Sequence, residues 1–444
     1  MHTKAARRRP NVVVLLSDDQ GPWAMGCAGN PEIRTPNLDR LAATGLRFEN
    51  FFCASPVCSP ARASLLTGRI PSQHGIHQWI HHENMGEGAK QFLAVEVGWT
   101  DVLAQNGYTC GLSGKWHMGD SMTPQHGFGF WYCHQQGGGP YYGAPMIRDG
   151  VPYTEPGYVT EVITDEALGF LNANHQAPFC LYVGYTAPHS PWEHHPEEIV
   201  RSYDDCPFET CPQEPKHPGA TGLTDHAWGR RDQLQGYFAS ITAMDDNIGR
   251  IVARVEELGL RDDTLIVFGS DNGFSCGHHG FWGKGNGTYP RNMYENSIRV
   301  PFVMSQPGRL PEGHVVEGMV SAYDFLPTVL ECMGMAAPEG CNLPGRSVLG
   351  QLEGRQDERE HVVVFDEYGP VRMIRTAEWK YVYRHDYAED ELFDLVNDPE
   401  EHENLIGHSG QAARVRELRG EMEEWFERYV DPEKDGLNEV DSGD

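Results

Sequence analysis

Four short apolar runs in this chain each end in a cluster of polar residues, and that arrangement limits the folds open to it. Residues 12–16, 108–112, 179–185 and 264–268 read as buried strands. They are followed by Asp18-Asp19, by Lys115 and His117, by His189, and by Asp271-Asn272. Helical patterns lie between them at 37–45, 96–105, 159–172 and 232–258. Strands alternating with helices predict an α/β fold with a mostly parallel sheet and helices on both faces. In an open parallel sheet, ligands bind beyond the carboxyl ends of the strands. The four polar clusters are therefore expected to converge on one rim. The stretch from about 186 to 230, rich in Pro, His, Asp and Glu, is too long for a plain connection. It is expected to be a surface excursion over that rim.

The pattern changes after residue 350. Residues 351–360 are charged and linker-like, 361–365, 371–375 and 380–384 read as short antiparallel strands, and 412–429 reads as an amphipathic helix. This predicts a catalytic unit at 1–350 and a smaller C-terminal α+β subdomain at 351–444, its acidic last ten or so residues frayed.

A formal net charge of −29 makes most of the surface repel nucleic acid and anionic membrane. An anionic substrate would need a local cationic pocket. No apolar run approaches the roughly 18 residues that span a bilayer. Nor does a signal-type segment follow the basic N-terminus, so a cytoplasmic location is expected. The eleven cysteines show no disulfide or zinc spacing and are expected to be mostly reduced and buried; Cys206 and Cys211 could pair.

Residues 56–69 read Pro-Val-Cys-Ser-Pro-Ala-Arg-Ala-Ser-Leu-Leu-Thr-Gly-Arg. Cys58 is expected just before a helix, with Ser59 as N-cap, Pro60 at the first helical position and Arg62 in the first turn. Backbone N–H groups and an arginine beside Cys58 suit a tetrahedral oxyanion. Lys115, His117, His189 and Lys284 extend the cationic set, the last in a glycine-rich loop. Asp18, Asp19, Asp271 and Asn272 are hard oxygen donors, which favours Ca²⁺ or Mg²⁺. An isolated Asp-Asp or Asp-Asn-Gly is more often a turn. Their shared position after strand ends favours a metal site.

The Cys-x-Pro-x-Arg run with its Thr-Gly-Arg tail closely resembles the signature of type I sulfatases. The resemblance extends through Asp18-Asp19-Gln20, Thr35-Pro36-Asn37-Leu38-Asp39, Gly114 to Gly119, His189, Ser270 to Gly273, Lys284 and the run at 391–395. It implies an alkaline phosphatase-like α/β/α sandwich. It also implies that Cys58 is oxidised to Cα-formylglycine by a formylglycine-generating enzyme. One Ca²⁺ would be held by Asp18, Asp19, Asp271, Asn272 and the modified residue 58. The implied reaction is hydrolysis of a carbohydrate or aryl sulfate. A hydroxyl of the hydrated aldehyde attacks sulfur, and loss of a proton from the second hydroxyl releases sulfate. Arg62 and Lys115 would steady residue 58, His117 would be the base, and His189 and Lys284 would bind sulfate and protonate the leaving oxygen. Adjacent cations are expected to lower the histidine and lysine pKa values.

Two other readings stand beside this one. One is a formylglycine-dependent phosphonate or phosphate ester hydrolase on the same fold. The other is a non-catalytic binder of sulfated ligands in which Cys58 stays a thiol. His74, His77, Trp79, His81, His82, Tyr141, Tyr142, His194 and His195 are candidates for the pocket mouth, and Gly137 to Pro140 for a mobile loop beside it.

Overall fold

Every residue of the first strand, β1 (Asn11–Ser17), is buried. Val12, Val14 and Leu16 enter one apolar cluster, whereas Val13 and Leu15 enter another. Successive side chains of a strand point to opposite faces, so β1 lies in a sheet covered on both sides. The computed structural model describes residues 9–353, 359–365, 371–385 and 387–438. The expected fraying of the last residues concerns a stretch that, beyond 438, lies outside the described residues.

The main sheet has ten strands. With β1 they are β2 (Leu46–Phe48), β3 (Thr109–Gly114), β4 (Phe128–His134), β5 (Ala144–Arg148), β6 (Val151–Glu155), β7 (Phe179–Gly184), β8 (Thr264–Ser270), β9 (Phe302–Ser305) and β10 (His314–Val316). Their order is β10-β2-β9-β8-β1-β7-β3-β4-β5-β6. The central run β8-β1-β7-β3-β4 is parallel. Antiparallel pairs β8–β9, β9–β2, β4–β5 and β5–β6 build the margins. The sequence reading found the four central strands other than β4. It missed the marginal ones, which are short or broken by Gly, Pro and charged residues.

On one face lie α1 (Pro36–Ala43), α4 (Val159–Asn174) and α5 (Arg231–Glu257). On the other lie α2 (Cys58–Thr67), α3 (Trp99–Gln105) and α6 (Phe325–Cys332). The result is the expected three-layer α/β/α arrangement.

A second sheet contains β11 (His361–Phe365), β12 (Arg372–Thr376), β13 (Trp379–Tyr383) and β14 (Glu391–Asp394), all antiparallel and covered by α7 (Ala412–Tyr429). Val362, Tyr381, Leu392 and Phe426 share one apolar cluster with Ala61 and Leu65 of α2. The small sheet is thus fused to the layer that carries Cys58.

The 186–230 stretch is more than a surface excursion. It contains short helices at Glu197–Arg201 and Gly222–Ala227. Trp192, Tyr203, Phe208 and Cys211 pack with Phe238 of α5 and Trp282 in a third core. All eleven cysteines are free, so Cys206 and Cys211 are not paired. Among the described residues, no helix is long and apolar enough to cross a membrane.

Candidate active site

The parallel strands end level with one another. Leu16 and Gly114 both pair with Gly184, and Ser17 pairs with Ser270. The next residues along each chain segment therefore emerge side by side. At β3 and β7 this closeness depends on glycine. Gly114 has φ 105°, a Cβ there would sit 2.0 Å from the Gly184 carbonyl oxygen, and the Lys115 N–H donates to that oxygen at 2.7 Å.

α2 delivers Cys58 and Arg62 to the same rim. Its N-cap is Val57, so Cys58 opens the helix rather than preceding it. Pro60 consequently sits third, still among the positions whose N–H has no intrahelical partner. Ser59 is no cap; its Oγ accepts the Ile80 N–H at 3.1 Å.

Nine of the ten residues singled out in the sequence form one connected cluster, and the tenth, His117, lines the same cavity. Cys58 Sγ donates to Asp18 Oδ1 at 3.2 Å and accepts from Lys284 Nζ at 2.9 Å. Lys284 Nζ also donates to Asp19 Oδ1 at 2.5 Å, and Lys115 Nζ to Asp18 Oδ2 at 2.5 Å. Arg62 Nε donates to Asp271 Oδ2 at 2.8 Å, and Asn272 Nδ2 to Asp19 Oδ1 at 2.8 Å. His189 Nε2 lies 3.8 Å from Asp19 Oδ2. Asp19 and His117 adopt left-handed backbone conformations, φ 67° and 56°, of the kind that gathers at functional sites.

Electrostatics follow from burial among charges. Burial raises the Cys58 thiol pKa, with Asp18 adding to the effect. Burial likewise raises Asp18 against the pull of Lys115. For Asp271, burial is outweighed by Arg62, Lys115 and Lys284, which hold its carboxyl below the usual range. His117 is driven well below 6.5, first by burial and then by Lys115. Lys284 departs from expectation: burial would lower it, but Asp19, Cys58 and Asp18 keep it well above its ordinary value.

The His117 tautomer can be assigned. Nε2 lies 3.0 Å from the Ile80 carbonyl, which can only accept, so the proton sits there. Nδ1 is buried without a partner and is left as a bare acceptor. By the same reasoning His189 Nδ1 donates to the Ser190 carbonyl at 2.7 Å, leaving Nε2 toward the cluster.

The donor set suits a hard cation. Ligand atoms of Asp18, Cys58 and Asp271 lie within 4.8 Å of one another, and Asn272 Oδ1 is buried without a hydrogen-bond partner. Three carboxylates already face Arg62, Lys115 and Lys284. An added dication would leave the cluster positive, as an anionic ester requires.

Above the cluster opens a cavity of about 560 Å³ lined by Asp19, Cys58, His117, His189 and Lys284. Of the nine candidates for its mouth, only Trp79 and His81 line it. His74 is buried in hydrogen bonds to Ser64 and the Ile76 N–H. His195 is buried against Tyr158, and Tyr141 donates to the His189 carbonyl. Sequence reasoning missed Gln136, Thr221, Leu223, Phe274 and Asn286 in the lining. Gln136 follows β4, the unrecognised parallel strand, by two residues, and its place after a strand end was the available signal.

Gly137 and Gly138 do more than edge the pocket. A Cβ on Gly137 would lie 2.2 Å from His117 Cε1, and one on Gly138 2.9 Å from His189 Cε1. The glycines let the chain lie against both histidine rings.

Comparison with known proteins agrees with this geometry. The family model described as Sulfatase matches residues 10–335. The chain belongs to the sulfatase family. A second family model, N-sulphoglucosamine sulphohydrolase, C-terminal, matches residues 277–428. The N-acetylglucosamine-6-O-sulfatase of Bacteroides thetaiotaomicron is 26% identical, over 97% of this chain and 89% of its own. The N-acetylgalactosamine-6-sulfatase of Homo sapiens is 31% identical, over 81% and 69%. A solved structure in complex with its substrate D-glucosamine-2-N,6-O-disulfate superposes with a TM-score of 0.82 at 25% identity, covering 96% of this chain and 99% of that one. As a sulfatase, the protein is a sulfuric ester hydrolase.

Proposed function

We propose that this sulfatase removes the 6-O-sulfate of an N-acetylhexosamine or a closely related amino sugar, using a formylglycine made from Cys58 and one Ca²⁺. The observation that carries the reading is the convergence of Cys58, Lys284, His117 and His189 on the floor of one cavity. The names of the sulfatases above support the sugar, and a lining that includes partly exposed Trp79 together with Gln136 and Asn286 suits a pyranose ring. Asp18, Asp19, Asp271, Asn272 and residue 58 would hold the ion. When bound, formylglycine would supply the nucleophilic oxygen, and Ca²⁺ the positive charge that stabilises it and the sulfuryl oxygens.

The chain's own side chains do the remaining work. Lys115 and Arg62 fix the carboxylates of Asp18 and Asp271 in place. Lys284 presents its ammonium to a sulfuryl oxygen from beside residue 58. His189, protonated at Nε2, gives its proton to the departing sugar oxygen. His117 takes a proton at Nδ1, the nitrogen left bare by the bond to Ile80.

The test is sulfate release from 6-O-sulfated N-acetylglucosamine and N-acetylgalactosamine. The protein would be matured with a formylglycine-generating enzyme and assayed with Ca²⁺, beside an aryl sulfate and an aryl phosphonate. Turnover of the sugar sulfates supports the proposal. Turnover of the phosphonate alone would replace it with the phosphonate hydrolase reading. Binding without turnover by fully modified protein would replace it with the binder.

A further inference from the structure

Away from the cavity, three segments distant in sequence bring together two imidazoles and a carboxylate. Glu214 comes from the 186–230 stretch, His279 from the loop between Asn272 and Lys284, and His402 from the connection between β14 and α7. One ligand atom of each lies within 4.8 Å of the others. His402 Nε2 and Glu214 Oε2 are 3.3 Å apart. Tetrahedral zinc with bonds of about 2.0–2.2 Å has ligand–ligand edges of roughly 3.3–3.6 Å. One edge is therefore already at its bound length, and the other two, each within 4.8 Å, need closure of at most about 1.5 Å. Half-exposed His402, at a loop position, can supply that movement.

The supports around these side chains are those a metal site uses. His279 stacks on Tyr294 with ring centroids 3.8 Å apart and an interplanar angle of 9°. Its backbone is held at φ 54° and ψ 18°, in the left-handed region that few non-glycine residues adopt, histidine among the more frequent of them. His402 Nδ1 faces Asp398 Oδ1 at 3.9 Å, and Asp398 is fixed by accepting the Glu403 N–H at 2.8 Å. An approach of about 1 Å would bring that carboxylate into hydrogen-bond distance of the imidazole, where it would set the tautomer and raise the basicity of a ligating ring. The strand of chain bearing Glu214 is zipped to the loop bearing His279. Glu214 N–H donates to the Gly277 carbonyl at 3.2 Å, and His217 N–H to the Gly280 carbonyl at 2.9 Å.

We infer that Glu214, His279 and His402 form a second metal site, for Zn²⁺ or another imidazole-preferring divalent ion, with water as the fourth ligand. Two imidazole nitrogens with one carboxylate favour such an ion over calcium. The site contains none of the residues that hold the substrate's sulfate. Its role would be to pin the loop leading to Lys284 against both the 186–230 layer and the C-terminal subdomain.

The test is Co²⁺ titration of the full chain in buffer with excess Ca²⁺, followed by visible absorption. Wild-type protein should develop the visible band of four-coordinate cobalt at one equivalent, without thiolate charge transfer, and lose it on addition of Zn²⁺. His402→Ala and Glu214→Gln should each weaken binding at least tenfold. Asp398→Asn should weaken it less, and His175→Ala, at an exposed histidine elsewhere, not at all. Failure of the band to develop, or equal affinity in wild type, His402→Ala and Glu214→Gln, would overturn the assignment. Either outcome is independent of sulfatase turnover.

Discussion

The thiol of Cys58 is buried, pushed toward its neutral form and hydrogen-bonded on both sides. Such a thiol is a poor nucleophile, and this favours its reading as a precursor. Cys58→Ala should remove sulfate release entirely, with Ca²⁺ present and the fold intact by circular dichroism. His189→Ala should slow sugar sulfates, whose leaving group needs a proton, by about 10²–10⁴-fold. Its effect on an activated aryl sulfate should be far smaller, and equal losses across a leaving-group series would remove the acid role. His117 has its folded pKa far below the ordinary 6.5. It should stay a competent base as pH falls through 6.5, so the acid limb of the kcat profile should lie well below that pH. A limb centred at 6.5 would assign the base elsewhere. These residues were legible because each sits in a short run of special composition. The partners that set their protonation, the Ile80 and Ser190 carbonyls, belong to the backbone and leave no mark in the sequence.

Strands carried the prediction furthest where both faces are buried. β1, β7 and β8 are unbroken apolar runs, and their ends located the site. β4, Phe-Gly-Phe-Trp-Tyr-Cys-His, alternates less clearly and does not read as a strand, which hides Gln136; the loop of Gly137 and Gly138 is legible beside the pocket from its glycines alone. That loop predicts its own test. Gly137→Ala should displace the His117 ring and lower kcat at least tenfold, since an error near 1 Å in a catalytic group costs about 10²-fold. An unchanged kcat would show that the ring and loop yield to each other freely. In the second sheet, Lys380 of β13 is fully buried, donating to Glu401 at 2.5 Å and to the Met293 carbonyl and ion-paired with Glu295. Lys380→Met should cost about 3–5 kcal/mol in denaturant unfolding, because it takes the cation from buried Glu401 and leaves Glu295 to its ion pair with Arg375. The buried lysine looked like an ordinary strand residue in the sequence, as its partners lie in distant loops.

Taken together, the chain surrounds a small balanced-charge centre with a strongly acidic exterior, and buries many neutral histidines in doing so. Burial lowers the pKa of His74 and His117 well below 6.5, of His134 and His278 to about 4, and of His195 to about 3. In the unfolded chain these imidazoles take up protons near 6.5, whereas in the fold they do not. Their contribution is therefore present above 6.5 and lost as pH falls below it. Asp245 and Glu401, raised by burial to about 6 and 7, act in the opposite sense but are fewer. The unfolding midpoint should fall clearly between pH 7.5 and 5.5; a flat profile would mean that the histidines are not buried neutral. The three-layer class was legible from alternation alone. The merging of the small sheet into the layer of α2 was not, because it depends on residues as far apart as Leu65 and Val362 entering one apolar cluster, which no local pattern links. The most direct test of the central claim is sulfate release from 6-O-sulfated N-acetylhexosamine as a function of the fraction of residue 58 converted to formylglycine. Release proportional to that fraction, and none from Cys58→Ala, is predicted. Release independent of conversion, or none at full conversion from this or any other sugar sulfate, would contradict the account.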